Sequence, residues 1–242
     1  MKHVVVGTCL ALGLALPAYA DVTLKQTSGG KGLGMSGSAS GVVYIRGNKM
    51  RTDVVVKDKT NTMIFDVDAQ RLYIFDSKKK EADVWDMAAF ANELSKSVDV
   101  NGAKASLNAN GQTKSIGGHS ASGYDLEVSM QSAMPGSKDM DMTAVLSGPI
   151  WIVKNAPGSA DFARFYTAAV EKGWIFSDPR GAKAQPGQAK AVAEMYRQVA
   201  TIGGIPYASD LQLRMSGDGP LGGILAKTVS YTHLTLPTNR EV

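Results

Sequence analysis

The apolar residues in the first half of this chain come in short runs separated by polar turns at even intervals, a spacing that points to an antiparallel β meander. The runs are Val22 to Thr27, Val42 to Arg46, Met50 to Val56, Thr62 to Val67, Leu72 to Phe75 and Glu81 to Trp85. Gly47-Asn48 is a tight turn between the second and third. Gly29 to Gly41 reads as a glycine- and serine-rich loop, and Lys57 to Asn61 as a polar turn. Met50, Thr52, Val54 and Val56 fall on one face of their strand, with Arg51 and Asp53 on the other. Met63-Ile64-Phe65 and Leu72 to Phe75 do not alternate; they are apolar on both faces. Such strands need cover on both sides. Helices can cover one side, and the other then calls for more helix, a protein partner or an apolar ligand.

Helical periodicity enters after Trp85. Asp86 is positioned to cap a helix running to about Ser97, with Met87, Phe90, Ala91, Leu94 and Val98 on one stripe. Strands are expected around Lys104 to Asn108, Gln112 to Ile116, Ser120 to Met130, Met140 to Leu146 and Ile150 to Lys154. Ser159 is placed to cap a second helix whose stripe is Phe162, Phe165, Tyr166, Ala169 and Val170. Pro186 suits the first turn of a third, with Val192, Met195, Tyr196 and Val199 on one side and Gly203-Gly204 at its end. Leu211 to Met215 is a late strand. The class is α+β, with one domain spanning residues 21–227.

Both ends are read separately from the fold. Residues 1–20 have the form of a cleavable signal peptide: Lys2 and His3, an apolar stretch from Val4 to Leu16, and Ala18-Tyr19-Ala20 as a small-x-small cleavage site. The stretch is too short to cross a bilayer, which takes about 20 residues. The expected compartment is the periplasm. At the other end, Val229 to Thr238 back-translates to something resembling a sequencing-library transposon adapter read in frame. Residues 228–242 are therefore expected to be foreign to the natural protein, with its own closing strand cut away.

Trimming both ends narrows the available chemistry. Cys9 leaves with the signal, so no disulfide or thiolate site is expected, and His119 is the one remaining imidazole. Removing Lys2 and Arg240 from the 26 basic residues, and Glu241 from the 22 acidic ones, leaves 24 against 21, a charge of +3. That excess is too small for the footprint of a nucleic-acid binder. Gly32 to Gly37 matches G-x-G-x-x-G but leads into a strand, where a dinucleotide site needs a helix. Gly118-His119-Ser120-Ala121-Ser122 lacks the final glycine of a nucleophile elbow and reads as a turn. Asp66 and Asp68 lack the other ligands of a calcium loop. No carboxylate pair is spaced for acid–base work, and no cofactor is expected. Met130, Met134, Met140 and Met142 cluster in sequence. Thioethers suit cuprous copper, although packing, or an adaptable apolar pocket, uses methionine equally well.

Tyr44 to Arg51, then Ile64-Phe65-Asp66, then Leu72 to Asp76 resembles the N-terminal meander of LolA/LolB-type lipoprotein carriers. Ile116-Gly117-Gly118-His119, Tyr124 and Ile150-Trp151-Ile152 continue the resemblance, which is closer still to an uncharacterised family of exported bacterial domains with the same spacing. It implies an open antiparallel half-barrel packed against about three helices, with an apolar concave face that holds acyl chains. The expected partner is an apolar small molecule, an acyl chain or a lipoprotein. Met50, Val54, Met63, Phe65, Leu72 and Ile74 are the candidate lining. Arg46 is the nearest match to a basic residue that is functional in the carriers. The alternatives are a soft-metal binder using the four methionines, and an envelope protein whose second apolar face meets a protein partner.

Overall fold

The computed structural model describes residues 22–32, 35–56, 59–76, 80–97, 104–133, 141–174, 176, 179, 186–217 and 228–237. The proposed signal peptide lies outside them. Eleven strands form one antiparallel sheet: β1 Val22–Gly32, β2 Met35–Arg46, β3 Lys49–Val56, β4 Lys59–Asp66, β5 Arg71–Asp76, β6 Glu81–Asp86, β7 Lys104–Ile116, β8 His119–Ala133, β9 Asp141–Val153, β10 Ile205–Gly217 and β11 Thr228–Pro237. The helices accompanying it include α1 Met87–Ser97, α2 Ser159–Glu171 and α3 Pro186–Ile202. The spatial order is β6-β5-β4-β3-β2-β1-β11-β10-β9-β8-β7. Each half is thus a meander, and the halves join where the first and last strands meet. No helix among the described residues is long and apolar enough to cross a membrane.

Several expectations shift here. Within the Gly29 to Gly41 stretch, residues 29–32 and 35–41 are paired strand, with Gly29 opposite Ser38 and Gly30 opposite Gly37. Glycine and serine have little strand propensity of their own, but pairing overrides it: Gly29 and Gly30 also face Thr232 and Tyr231 of β11. Lys59 to Asn61 belongs to β4 and pairs with β3. The two runs read between Lys104 and Ile116 are one strand with a register shift between Ala109 and Thr113. Gly158, at φ 78°, occupies the cap position of α2, and Ser159 starts the helix. Asp86 caps α1 as expected: the Ala89 N–H donates to its Oδ1 at 3.0 Å, and Arg71 donates to its Oδ2 at 2.6 Å. These bonds hold the Asp86 carboxyl below the ordinary value. Gly117 and Gly118 both take positive φ, as the tight turn before His119 requires.

The Thr228–Pro237 segment pairs with β1 on one side and β10 on the other. The edge expected to lie bare is therefore filled. Backbone hydrogen bonding asks only for an extended, β-prone chain, so the pairing does not bear on where that segment comes from.

One turn fastens the first meander to the helices. The Val67 N–H donates to Asn48 O at 3.0 Å, and Asn48 Nδ2 donates to Asp68 Oδ1 at 2.9 Å. The Met87 N–H at the start of α1 donates to Gln70 O at 3.0 Å. Lys172, just beyond α2, donates to Val67 O at 3.0 Å. Asp66 accepts from Lys49 at 2.5 Å and from the Ala69 N–H at 3.1 Å. Burial alone would raise the Asp66 carboxyl, but the hydrogen bonds from Lys49 and Ala69 outweigh it, and the net shift is downward. A carboxyl depressed on folding adds stability above its unfolded value, near 3.9, and loses it as pH falls through the folded one. Asp66→Asn should therefore cost about 1 kcal/mol at neutral pH. In urea titrations across the acid range, the gap to the parent chain should close below about pH 4. A gap independent of pH would contradict this reading of the turn.

Candidate functional site

Strand register sorts the apolar residues of the first meander into rows. Val22, Ile45, Met50, Phe65, Leu72 and Trp85 stand side by side across β1 to β6. The next row on the same face is Leu24, Val43, Thr52, Met63 and Ile74. The row beyond contains Gln26, Gly41, Val54 and Asn61. The six expected apolar lining residues, Met50, Val54, Met63, Phe65, Leu72 and Ile74, therefore share one face. Arg46 does not join them: it is exposed and one residue out of phase with Ile45, so it belongs to the opposite face.

Helices cover that shared face. Trp85 meets Phe90 of α1 edge-on, with ring centroids 6.1 Å apart. The Tyr166 hydroxyl of α2 donates to Met50 Sδ at 3.8 Å. Beyond α2, Trp174 and Phe176 lie 5.8 and 6.1 Å from Phe65, centroid to centroid. Tyr196 of α3 stacks on Tyr166 at 4.7 Å, and Phe176 lies against both. Burial pushes the Tyr166 phenol well above its ordinary value, with the adjacent Tyr196 adding to the effect, so it remains a neutral donor. In the second half of the sheet, α3 packs on β7 and β8. Leu107 and Leu126 pair there, as do Val128 and Leu146.

Burial on the covered face is graded along the strands. The row nearest the Val67 turn is closed: Met50, Phe65 and Leu72 are buried. In the next row Ile74 is buried and Met63 is half-buried, and in the row beyond Val54 is half-buried and Asn61 exposed. The apolar face thus begins to open at Met63 and Val54. The Met63 row ends at exposed Asp83 of β6, and within it Thr52 is buried, with no hydrogen-bond partner for its hydroxyl among the described residues. The Trp174 indole N–H, which touches the same aromatic group, is also buried without a partner.

The opposite face carries the rest of the apolar residues from the strands that fail to alternate. Tyr44, Arg51, Ile64, Tyr73 and Val84 form one row there. Phe75 is 40% exposed and Val84 57%. Arg51 keeps part of this face polar by pairing with Asp53 at 3.0 Å, and Thr62 donates to the same carboxylate at 2.6 Å. Among the described residues, the requirement for cover on both sides is thus met by helices on one side only. The exposed strip was implied by the same apolar runs, but the sequence did not show which face would be left open.

The remaining candidates are structural in their surroundings. His119 follows its turn and lies edge-on to Tyr207, centroids 5.4 Å apart, while the neighbouring Ser120 is exposed. Asp66 and Asp68 are engaged in the turn already described. Met130 of β8 and Met142 of β9 sit diagonally across one pairing register, with Met130 opposite Ala144 and Met142 opposite Ser132. Met134 and Met140 lie outside the described residues. Among the described residues, no group of three or more His, Cys, Asp or Glu side chains is placed to hold a metal ion. No protein-family model matches the chain, and neither a curated protein nor a solved structure matches it.

The covered face makes a prediction of its own. Phe65→Ala should lower stability by about 3–5 kcal/mol, whereas Phe75→Ala on the open face should cost less than about 1 kcal/mol. Urea unfolding of both variants measures the contrast, and equal costs would mean that the faces have been assigned wrongly.

Proposed function

We propose that this protein is a periplasmic binding or carrier protein for a lipid, a lipoprotein or another apolar ligand, exported by the signal sequence in residues 1–20. The observation that carries the reading is the graded apolar face: a floor of Met50, Phe65, Leu72 and Ile74 that opens toward half-buried Met63 and Val54 beneath a helical layer. An antiparallel sheet with three helices on one face is also the arrangement implied by the resemblance to LolA/LolB-type carriers. The half-barrel curvature and the acyl-chain role belong to this proposal. Affinity would come from burying apolar surface, at about 25 cal/mol per Å² or about 0.8 kcal/mol per methylene. The helical layer meets this face largely through aromatic side chains. Arg46, facing the other way, lines no part of this site.

A second reading is supported by the opposite face, where Val84 and Phe75 are exposed beside half-buried Ile64 and Tyr73. A protein partner covering that face would make this a structural component of the envelope. Exposed apolar surface of this kind marks interaction sites in other proteins.

Native mass spectrometry of the exported chain separates these readings. The carrier role predicts a bound mass in the lipid range that organic extraction removes. A ligand-free protein recovered in a stable complex with another protein would contradict it in favour of the second reading. Uptake of cuprous copper by a lipid-free chain, lost when Met130, Met134, Met140 and Met142 are changed to Leu, would instead identify a soft-metal site.

A further inference from the structure

Three buried side-chain groups among the described residues lack a hydrogen-bond partner: the Tyr207 hydroxyl, the Thr52 hydroxyl on the covered face and the Trp174 indole N–H in the layer above it. Thr52 interrupts the row Leu24, Val43, Thr52, Met63, Ile74, and only 9% of its surface is exposed. Trp174 is 3% exposed. Neither the Thr52 hydroxyl nor the Trp174 indole N–H has a hydrogen-bond partner among the described residues. Trp174 meets the Phe65 ring at 5.8 Å between centroids, and Thr52, opposite Met63, is the diagonal neighbour of Phe65 across the β3–β4 register. Leaving one such group unsatisfied costs about 1–3 kcal/mol. Valine would fill the Thr52 site without that cost, as it does at the neighbouring Val43. An indole N–H can only donate. The Trp174 N–H therefore calls for an acceptor, and the Thr52 hydroxyl can donate to the same one.

Resting on the carrier reading above, we infer that Thr52 and Trp174 form a polar anchor for the carbonyl oxygen of an acyl ester, whose hydrocarbon chain runs past half-buried Met63 toward Val54. The acceptor is neutral rather than a free carboxylate. The three rows of the covered face contain no lysine or arginine, and an unpaired charge among apolar residues is far more costly than an ester. Acylated lipids and lipoproteins present such esters, and free fatty acids do not.

The test is competition of methyl palmitate, palmitic acid and hexadecane for a lipophilic fluorescent dye bound to the full exported chain. The parent protein should prefer methyl palmitate over hexadecane by about fivefold to tenfold, the equivalent of one hydrogen bond. It should also prefer the ester over palmitic acid at slightly alkaline pH. Thr52→Val and Trp174→Phe should each bring the ester-to-hexadecane ratio toward one, and Thr52→Ser, which keeps the hydroxyl, should restore it. Thr52→Val should melt no lower than the parent in the absence of ligand, because the hydroxyl it removes is unpaired; if it does not fold, Thr52→Ser and Trp174→Phe still decide the outcome. Equal binding of ester and hexadecane by the parent would overturn the anchor and leave the carrier role standing. Tighter binding of palmitic acid would overturn the choice of a neutral ester. Binding of none of the three would remove the carrier reading, and the anchor with it.

Discussion

An antiparallel strand turns alternate side chains to opposite faces, so the register of β1 to β6 decides what the helices can touch. A slip of one residue in β3 and β4 would place Arg51 and Ile64 under α2 and expose Met50 and Phe65. Register is held at the end where the strands turn. Gly47 supplies the positive φ of the β2–β3 turn, and the neighbouring Asn48 binds both the backbone and a side chain of the next turn. Asp66, buried and bonded to Lys49 and the Ala69 N–H, locks β3 to β4 at that end. The same turn binds α1 through Gln70 O and the end of α2 through Val67 O. A few polar contacts there position both the sheet and its cover.

From that fixed end the covered face loosens along the strands. Met50, Phe65 and Leu72 are sealed by Tyr166, Trp174, Phe176 and α1. Farther along, Met63 and Val54 are only partly shielded. The proposed carrier role draws on this gradient: a tight floor is an apolar destination, and a partly open rim is a way in. The unpaired Thr52 hydroxyl lies between them, which is why it is the residue chosen to decide what kind of ligand the floor accepts.

Much of this was legible in the sequence because it follows from local rules. Alternation in Met50 to Val56 gave the face of β3, Asp86 and Pro186 marked the starts of α1 and α3, and Gly203-Gly204 marked an end. The misreadings share a cause. Gly29 and Gly30 look like loop locally, yet they are strand, paired with Ser38 and Gly37 on one side and with distant Thr232 and Tyr231 on the other, while Asn110 to Gln112 form an irregularity within β7 with Gly111 at positive φ. Ser159 looked like the α2 cap, yet the chain enters through left-handed Gly158. For the site, the six apolar residues were legible as a group, and the structure places them on one face. Arg46 fell away because the turn at Gly47-Asn48 sets it one residue out of phase with them. The role of Thr52 and Trp174 was not legible, because an absent hydrogen-bond partner is a property of packing between segments far apart in sequence.

The strands that are apolar on both sides present one physical choice: a ligand under the helices, or a partner on the open face. Photo-crosslinking the full exported chain with a diazirine-bearing acyl ester, followed by peptide mapping, addresses that choice directly. The account predicts adducts on the covered face, at Met63, Val54, Phe65 and Trp174. Adducts concentrated instead on Ile64, Tyr73, Phe75 and Val84 would contradict it and place apolar recognition on the face the helices leave bare.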